Sequence, residues 1–119
     1  MATRTRPKRG EIWLVRLDPV VGAEIRKVRP AVVVNVAGVG RLPLKIVVPL
    51  TEWKSSYAAL TWIVHVRCSA GTGLTKDSGA DAFQVKSVSD LRFDRMIGHL
   101  SPQQLQRVAS AVAMCVGVP

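Results

Sequence analysis

Pro30-Ala31-Val32-Val33-Val34-Asn35-Val36 is the stretch on which the fold turns. The run is β-branched, too short for a helix and too apolar for a sheet edge, which predicts a central strand. Gly38 and Gly40 close it. Downstream, Leu44 to Thr51 (LKIVVPLT) predicts a second strand, with Pro49 suited to an edge or a bulge. Upstream, Glu11 to Leu17 (EIWLVRL) has strand composition and ends at Asp18-Pro19. Between them, residues 20–29 form a charged connection containing Gly22.

Further along, residues 60–67 alternate. Leu60, Trp62, Val64 and Val66 share one face, and Thr61, Ile63, His65 and Arg67 share the other. Residues 68–79, with Gly71, Gly73 and Gly79, predict a loop. Strands follow at 81–87 and 92–97. Ser101-Pro102-Gln103-Gln104 then announces a helix: Ser at the N-cap, Pro at the first position, Gln completing a capping box. Leu105, Val108, Ala109, Val112 and Val116 recur at helical spacing, and Gly117 ends the pattern. The fold class is mainly β with a C-terminal helix, a strongly bent antiparallel sheet or small half-open barrel. Residues 1–9 predict a basic flexible arm, and 10–119 a single domain.

The chain has 119 residues, 48% hydrophobic and 21% charged, which fits one domain with one core. Its 17 Lys+Arg against 8 Asp+Glu leave a net charge of +9, favouring a polyanionic partner. No apolar run reaches the 18 or so residues of a membrane span. No apolar stretch follows the basic start, so a cytoplasmic location is expected. Cys68 and Cys115 make neither a disulfide scaffold nor a CxxC pair, and His65, His99 and the cysteines lack metal-ligand spacing. Gly71 to Ser78 (GTGLTKDS) lacks the Gly-Lys-Ser/Thr ending of a phosphate loop and is read as a plain loop. No Gly-x-Ser-x-Gly elbow is present. Any enzyme chemistry therefore falls to Arg, Lys, Ser/Thr, His or a lone acid, with no metal or cofactor expected.

Several motifs occur in a telling order: Gly10-Glu11-Ile12-Trp13, Asp18 to Glu24 (DPVVGAE), Val28-Arg29-Pro30-Ala31-Val32-Val33-Val34, Ile46 to Thr51 (IVVPLT), His65-Val66, and Gln84-Val85-Lys86-Ser87. This ordered set resembles the MazF/PemK/Kid toxin family over residues 9–118. The resemblance implies a homodimeric SH3-like barrel that cleaves single-stranded RNA without metal, restrained by an antitoxin with an acidic, flexible segment. It places the catalytic arginine at Arg29 and a catalytic threonine at Thr51.

The residues suit that chemistry. Cleavage through the 2′-hydroxyl needs a proton removed, charge on the phosphorane neutralised, and the leaving 5′-oxygen protonated. Arg29 offers a planar, permanently charged fork to phosphate oxygens, and Pro30 restricts its backbone to extended conformations. Thr51 can present a hydroxyl to a phosphate oxygen. Glu24 is a third catalytic candidate, as general base or base reader, with an ion pair to Arg26 or Lys27 as the plainer alternative. Phe83 stands where relatives commonly carry an acid, so the base stays open: Glu24, Asp81, His65 or none of them. For RNA binding the candidates are Lys27 in a basic loop, Trp53 as a stacking platform, His65, and Gln84, Lys86 and Ser87 as the groove's far wall. Two other functions compete: a non-nuclease toxin resembling the gyrase-poisoning CcdB proteins, and a basic barrel that only binds RNA.

Overall fold

The computed structural model describes residues 6–17 and 28–119. Seven strands form one antiparallel sheet: β1 Glu11–Val15, β2 Arg29–Val33, β3 Leu44–Glu52, β4 Ile63–Val66, β5 Ser78–Asp81, β6 Lys86–Ser89 and β7 Phe93–His99. The order is β4-β5-β3-β2-β1-β7, with β6 also on β3. Among the described residues one α-helix, α1 Pro102–Cys115, follows. The sheet bends but stays open, because β4 and β7 are its ends and are not paired to each other. The mainly β architecture with a C-terminal helix is as expected; the barrel is not closed.

β3 is the spine. One edge pairs with β2 from Val47 to Pro49. The other takes β6 along Leu44–Val47 and β5 along Leu50–Glu52. Pro49 is therefore not on an edge strand. It is buried in mid-sheet, in the gap where β3 leaves β6 and has not yet met β5, so its missing N–H interrupts neither pairing.

Side chains alternate across this bent sheet into two cores. Ile12, Val32, Val48, Leu50, Val66 and Ala80 face α1, where Val108 closes the layer. Trp13, Val15, Ala31, Val33, Val47 and Val88 fill the opposite face, where Trp13 meets Phe93 edge-on with ring centroids 5.7 Å apart.

The helix has the expected start. The Ser101 hydroxyl accepts the Gln104 N–H at 3.1 Å, and the Gln104 side chain accepts the Ser101 N–H at 2.9 Å. It ends at Gly117 in a paired turn, Val118 N–H to Ala113 O and Gly117 N–H to Met114 O, with Gly117 at φ +83°. Val116, expected on the apolar face, lies in this unwinding turn and is exposed.

Several boundaries differ from the sequence reading, among them the end of β2, expected at Val36 and found at Val33. The strand expected over 60–67 is confined to Ile63–Val66, because a short 3-10 helix, Ser55–Ala59, and a turn occupy the chain before it. The strand expected over 81–87 is two strands, β5 and β6, separated by a 3-10 turn at Ala82–Gln84. Asp81 causes the break: its carboxylate accepts the Phe83 N–H at 3.2 Å and the Gln84 side-chain N–H at 2.9 Å. At the chain start, Pro7 is buried, Gly10 N–H bonds Val33 O, and the Lys8 N–H bonds Glu11 Oε1, so residues 7–10 are docked on the sheet.

The capping box and the close backbone approach at Gly98 make separable predictions. Ser101→Ala removes one cap bond and should lower unfolding free energy by about 1 kcal/mol. Gly98→Ala should be the more damaging change, since its Cβ would lie 2.3 Å from the Thr72 carbonyl. Urea unfolding of both variants measures the order.

Candidate functional site

The register of the sheet brings four positions into one row. Ala31 pairs with Pro49 at the last paired position of β2 and β3; continued two residues beyond it, the same line points from Arg29 to Thr51, which line one hollow. Thr51 pairs with Gly79, and Gly79 with His65. The row runs Arg29, Thr51, Gly79, His65 across β2, β3, β5 and β4. Neighbouring strands are about 4.8 Å apart, so Thr51 and His65 are roughly 10 Å apart across β5.

Arg29 and Thr51 line a common open cleft of about 270 Å³, with Pro30, Glu52, Thr75, Lys76 and Ser78. Arg29 is exposed at the first position of β2, where Pro30 follows it, and Thr51 is half-buried. Glu52 is the cleft's carboxylate, and Lys76 approaches it at 3.6 Å with both side chains largely exposed. A guanidinium, an ammonium and hydroxyls around one hollow form a setting for a phosphodiester.

The loop dismissed as plain carries one wall of this cleft. Thr72 is its buried hub: its hydroxyl bonds Ser69 and accepts the N–H groups of Ser69 and Leu74. Gly73, at φ +70°, lies so close to the Ile97 carbonyl that no side chain fits, and His99 N–H bonds Gly71 O. The loop is thereby fixed to β7, and its far end delivers Thr75, Lys76 and Ser78. Sequence reasoning missed these three and Glu52. The available signal was a lysine and two hydroxyl residues behind a pair of glycines.

His65 and Trp53 form a second cluster beyond Gly79. Their rings stack in parallel, centroids 4.1 Å apart at 5°. Tyr57 meets Trp53 edge-on at 5.7 Å. Gly79 makes this possible, because a Cβ there would lie 2.7 Å from Ile63 Cγ2 and 3.4 Å from Trp53 Cε3. One face of the indole expected to stack on a base is thus already covered by His65. The His65 Nε2 is 2.9 Å from Asp77 Oδ2, and Asp77 Oδ1 accepts the Cys68 N–H at 2.9 Å. The Cys68 N–H, then His65, hold the Asp77 carboxyl at about 2. Hydrogen bonding to that carboxylate pushes the Cys68 thiol up, which suppresses its reactivity at neutral pH.

The remaining sequence candidates lie elsewhere. Gln84 is held by Asp81 in the 3-10 turn. Lys86 and Ser87 are exposed on β6, opposite Val47 and Ile46, toward the other end of β3 from Thr51. Within one chain these three do not line the Arg29–Thr51 cleft. Asp81, considered as a base, binds its own turn. Glu24 and Lys27 lie outside the described residues. Among the described residues no three His, Cys, Asp or Glu gather as a metal site, and no helix is long and apolar enough to cross a membrane.

Known proteins share this fold. The profile of PemK-like, MazF-like toxins of type II toxin–antitoxin systems matches residues 8–116. Endoribonuclease MazF9 of Mycobacterium tuberculosis is 37% identical over 115 residues, covering 90% of this chain and 93% of its own. Endoribonuclease EndoA of Bacillus subtilis is 29% identical, covering 93% and 95%. Among solved structures, the MazE–MazF complex (Form-II) of Deinococcus radiodurans superposes with a TM-score of 0.75 at 20% identity, over 97% of this chain and 99% of that one. M. tuberculosis toxin MazF-mt6 gives 0.71 at 22%, over 92% and 98%. The open sheet with its C-terminal helix defines a small toxin fold. The chain belongs to the PemK-like, MazF-like toxin family of type II toxin–antitoxin systems.

The depressed Asp77 carboxyl gives a signed prediction. A group whose folded pKa is below its unfolded value adds stability above the unfolded pKa, and this is lost as pH falls through the folded one. Wild-type protein should lose that contribution between pH 4 and 2, and Asp77→Asn should lack it. Urea unfolding at pH 5, 3 and 2 should therefore give a shallower pH dependence for the variant.

Proposed function

We propose that this toxin is an endoribonuclease that cleaves single-stranded RNA in the Arg29–Thr51 cleft. The observation that carries the reading is that Arg29 and Thr51 line one hollow in a chain of this toxin family. In this mechanism the 2′-hydroxyl attacks the adjacent phosphorus. Arg29 lies against the phosphate and stabilises charge as the phosphorane forms. The Thr51 hydroxyl hydrogen-bonds a phosphate oxygen and fixes it in line. Lys76 adds a second cation from the fixed loop. The products are a 2′,3′-cyclic phosphate and a 5′-hydroxyl, with no metal or cofactor required.

Glu24 and Lys27 belong to the same reading as base and phosphate contacts from the 18–27 connection. His65 and Trp53 would contact the RNA beyond Gly79. Gln84, Lys86 and Ser87 would contribute from β6 and its turn in a symmetric homodimer acting in the cytoplasm. The antitoxin is the natural inhibitor, and its acidic segment would be drawn to the same positive field as RNA. The family assignment disfavours gyrase poisoning, and the arginine and threonine in one cleft favour catalysis over mere RNA binding.

Arg29→Ala should lower cleavage of a single-stranded RNA by about 10²-fold or more while the protein stays folded. Thr51→Ala should cost less. Cleavage should persist in excess EDTA. A magnesium requirement, 5′-phosphate products or a fully active Arg29→Ala would overturn the reading. RNA affinity, measured with a 2′-deoxy substrate, should fall as salt rises.

A further inference from the structure

Asp77 does not line the Arg29–Thr51 cleft, yet both its chain neighbours, Lys76 and Ser78, do. It stands one residue before β5, and its carbonyl accepts the Trp53 N–H at 3.0 Å. That bond carries the β3–β5 ladder one step past the Glu52–Ser78 pair. Along extended backbone successive side chains point to opposite sides. Asp77 faces β4, and its neighbours face the cleft. Whatever fixes Asp77 therefore aims Lys76.

The fixing is thorough. Asp77 Oδ2 is 2.9 Å from His65 Nε2, and Oδ1 accepts the Cys68 N–H at 2.9 Å. An ionised carboxylate can only accept, so His65 Nε2 is the donor. The Ser78 hydroxyl donates to the Lys76 carbonyl at 3.4 Å, which closes the chain tightly around Asp77. His65 is itself held flat against Trp53, so the same indole residue steadies Asp77 twice, through its backbone N–H and through the imidazole.

This lock does more for direction than for stability. The His65 and Asp77 side chains are 35% and 40% exposed, and pairs so open to water add little to the folding free energy. Lys76, by contrast, has nothing firm at its tip. Its side chain is 71% exposed, and Glu52 lies 3.6 Å away with 67% exposure, too loose a pair to orient a flexible ammonium stem. Its aim comes from its backbone.

We infer that Asp77 is a positioning residue for RNA cleavage: held by His65 and the Cys68 N–H, it sets the 76–78 backbone so that Lys76 meets the phosphodiester in the cleft. The role of Lys76 rests on the endoribonuclease reading above. Charge alone gives the opposite expectation, because removing an anion beside the cleft would strengthen the pull on RNA. Loss of the lock weakens it.

The experiment compares Asp77→Ala, His65→Ala, His65→Gln and Lys76→Ala with the wild-type chain. A single-stranded RNA reports cleavage, and a 2′-deoxy substrate titrated over salt reports binding. Lys76→Ala should reduce the slope of log affinity against log salt by about 0.7, the loss of one phosphate contact on a single strand. Asp77→Ala and His65→Ala should reduce it by a similar amount, although neither removes a lysine or arginine, and should slow cleavage about tenfold. His65→Gln keeps an N–H near the Nε2 position and should bring the rate back to within about threefold of wild type. His65 is also placed against RNA, so a double variant isolates the lock: Asp77→Ala added to Lys76→Ala should cost less than about twofold more. Without RNA, hydrogen exchange at residues 75–78 should quicken in Asp77→Ala and His65→Ala. Tighter RNA binding by Asp77→Ala, a salt slope unchanged in it, or effects that multiply in the double variant overturns the inference. If Asp77→Ala does not fold, His65→Ala and His65→Gln supply the same readouts. If the wild-type chain leaves RNA intact, the nuclease reading fails, while the salt slopes and hydrogen exchange still decide whether Asp77 aims Lys76.

Discussion

One strand supports everything else in this molecule. β3 pairs with β2 along one edge and divides its other edge between β6 and β5. A nine-residue strand with three partners must hold its register on both sides, because a slip of one residue would turn Val48 and Leu50 out of one core and Val47 out of the other. The cleft shared by Arg29 and Thr51 lies at one end of this strand and the hollow around Leu44 at the other.

Much of this was legible in sequence because it depends on local signals. The apolar run from Pro30, the strand ending at Thr51 and the Ser101–Gln104 cap are patterns of single segments, and each appears as expected. Arg29 and Thr51 were identified by motif resemblance, and they line one hollow. What escaped notice depends on long-range contacts. Nothing local announces that Asp81 will bend its own strand into a turn, or that His65 will stack on Trp53 across a glycine. Lys76 was passed over because its loop fails as a phosphate loop. Its importance comes from where β7 and Thr72 fix that loop, a tertiary fact. Pro49, suited by sequence to an edge or a bulge, lies instead in a gap between two partners on one side, where its missing N–H is equally harmless.

The two ends of β3 differ in chemistry. The Arg29–Thr51 cleft combines cations, hydroxyls and one carboxylate in an open hollow, a composition suited to a phosphodiester that must enter and leave. The hollow beneath the β2–β3 connection is apolar at its floor and cationic only at its rim.

The anchoring of the 69–74 loop has a consequence for how this protein can change. Gly73 and Gly98 admit no side chain because backbone lies against backbone, and Thr72 secures the loop through its hydroxyl. Thr75 and Lys76 contribute nothing to that anchorage, and both are exposed at the cleft. Neither side chain is packed, so exchanging Thr75 reshapes the lip of the cleft while the fold beneath stays as it is, much as a tool changes its bit while keeping its chuck.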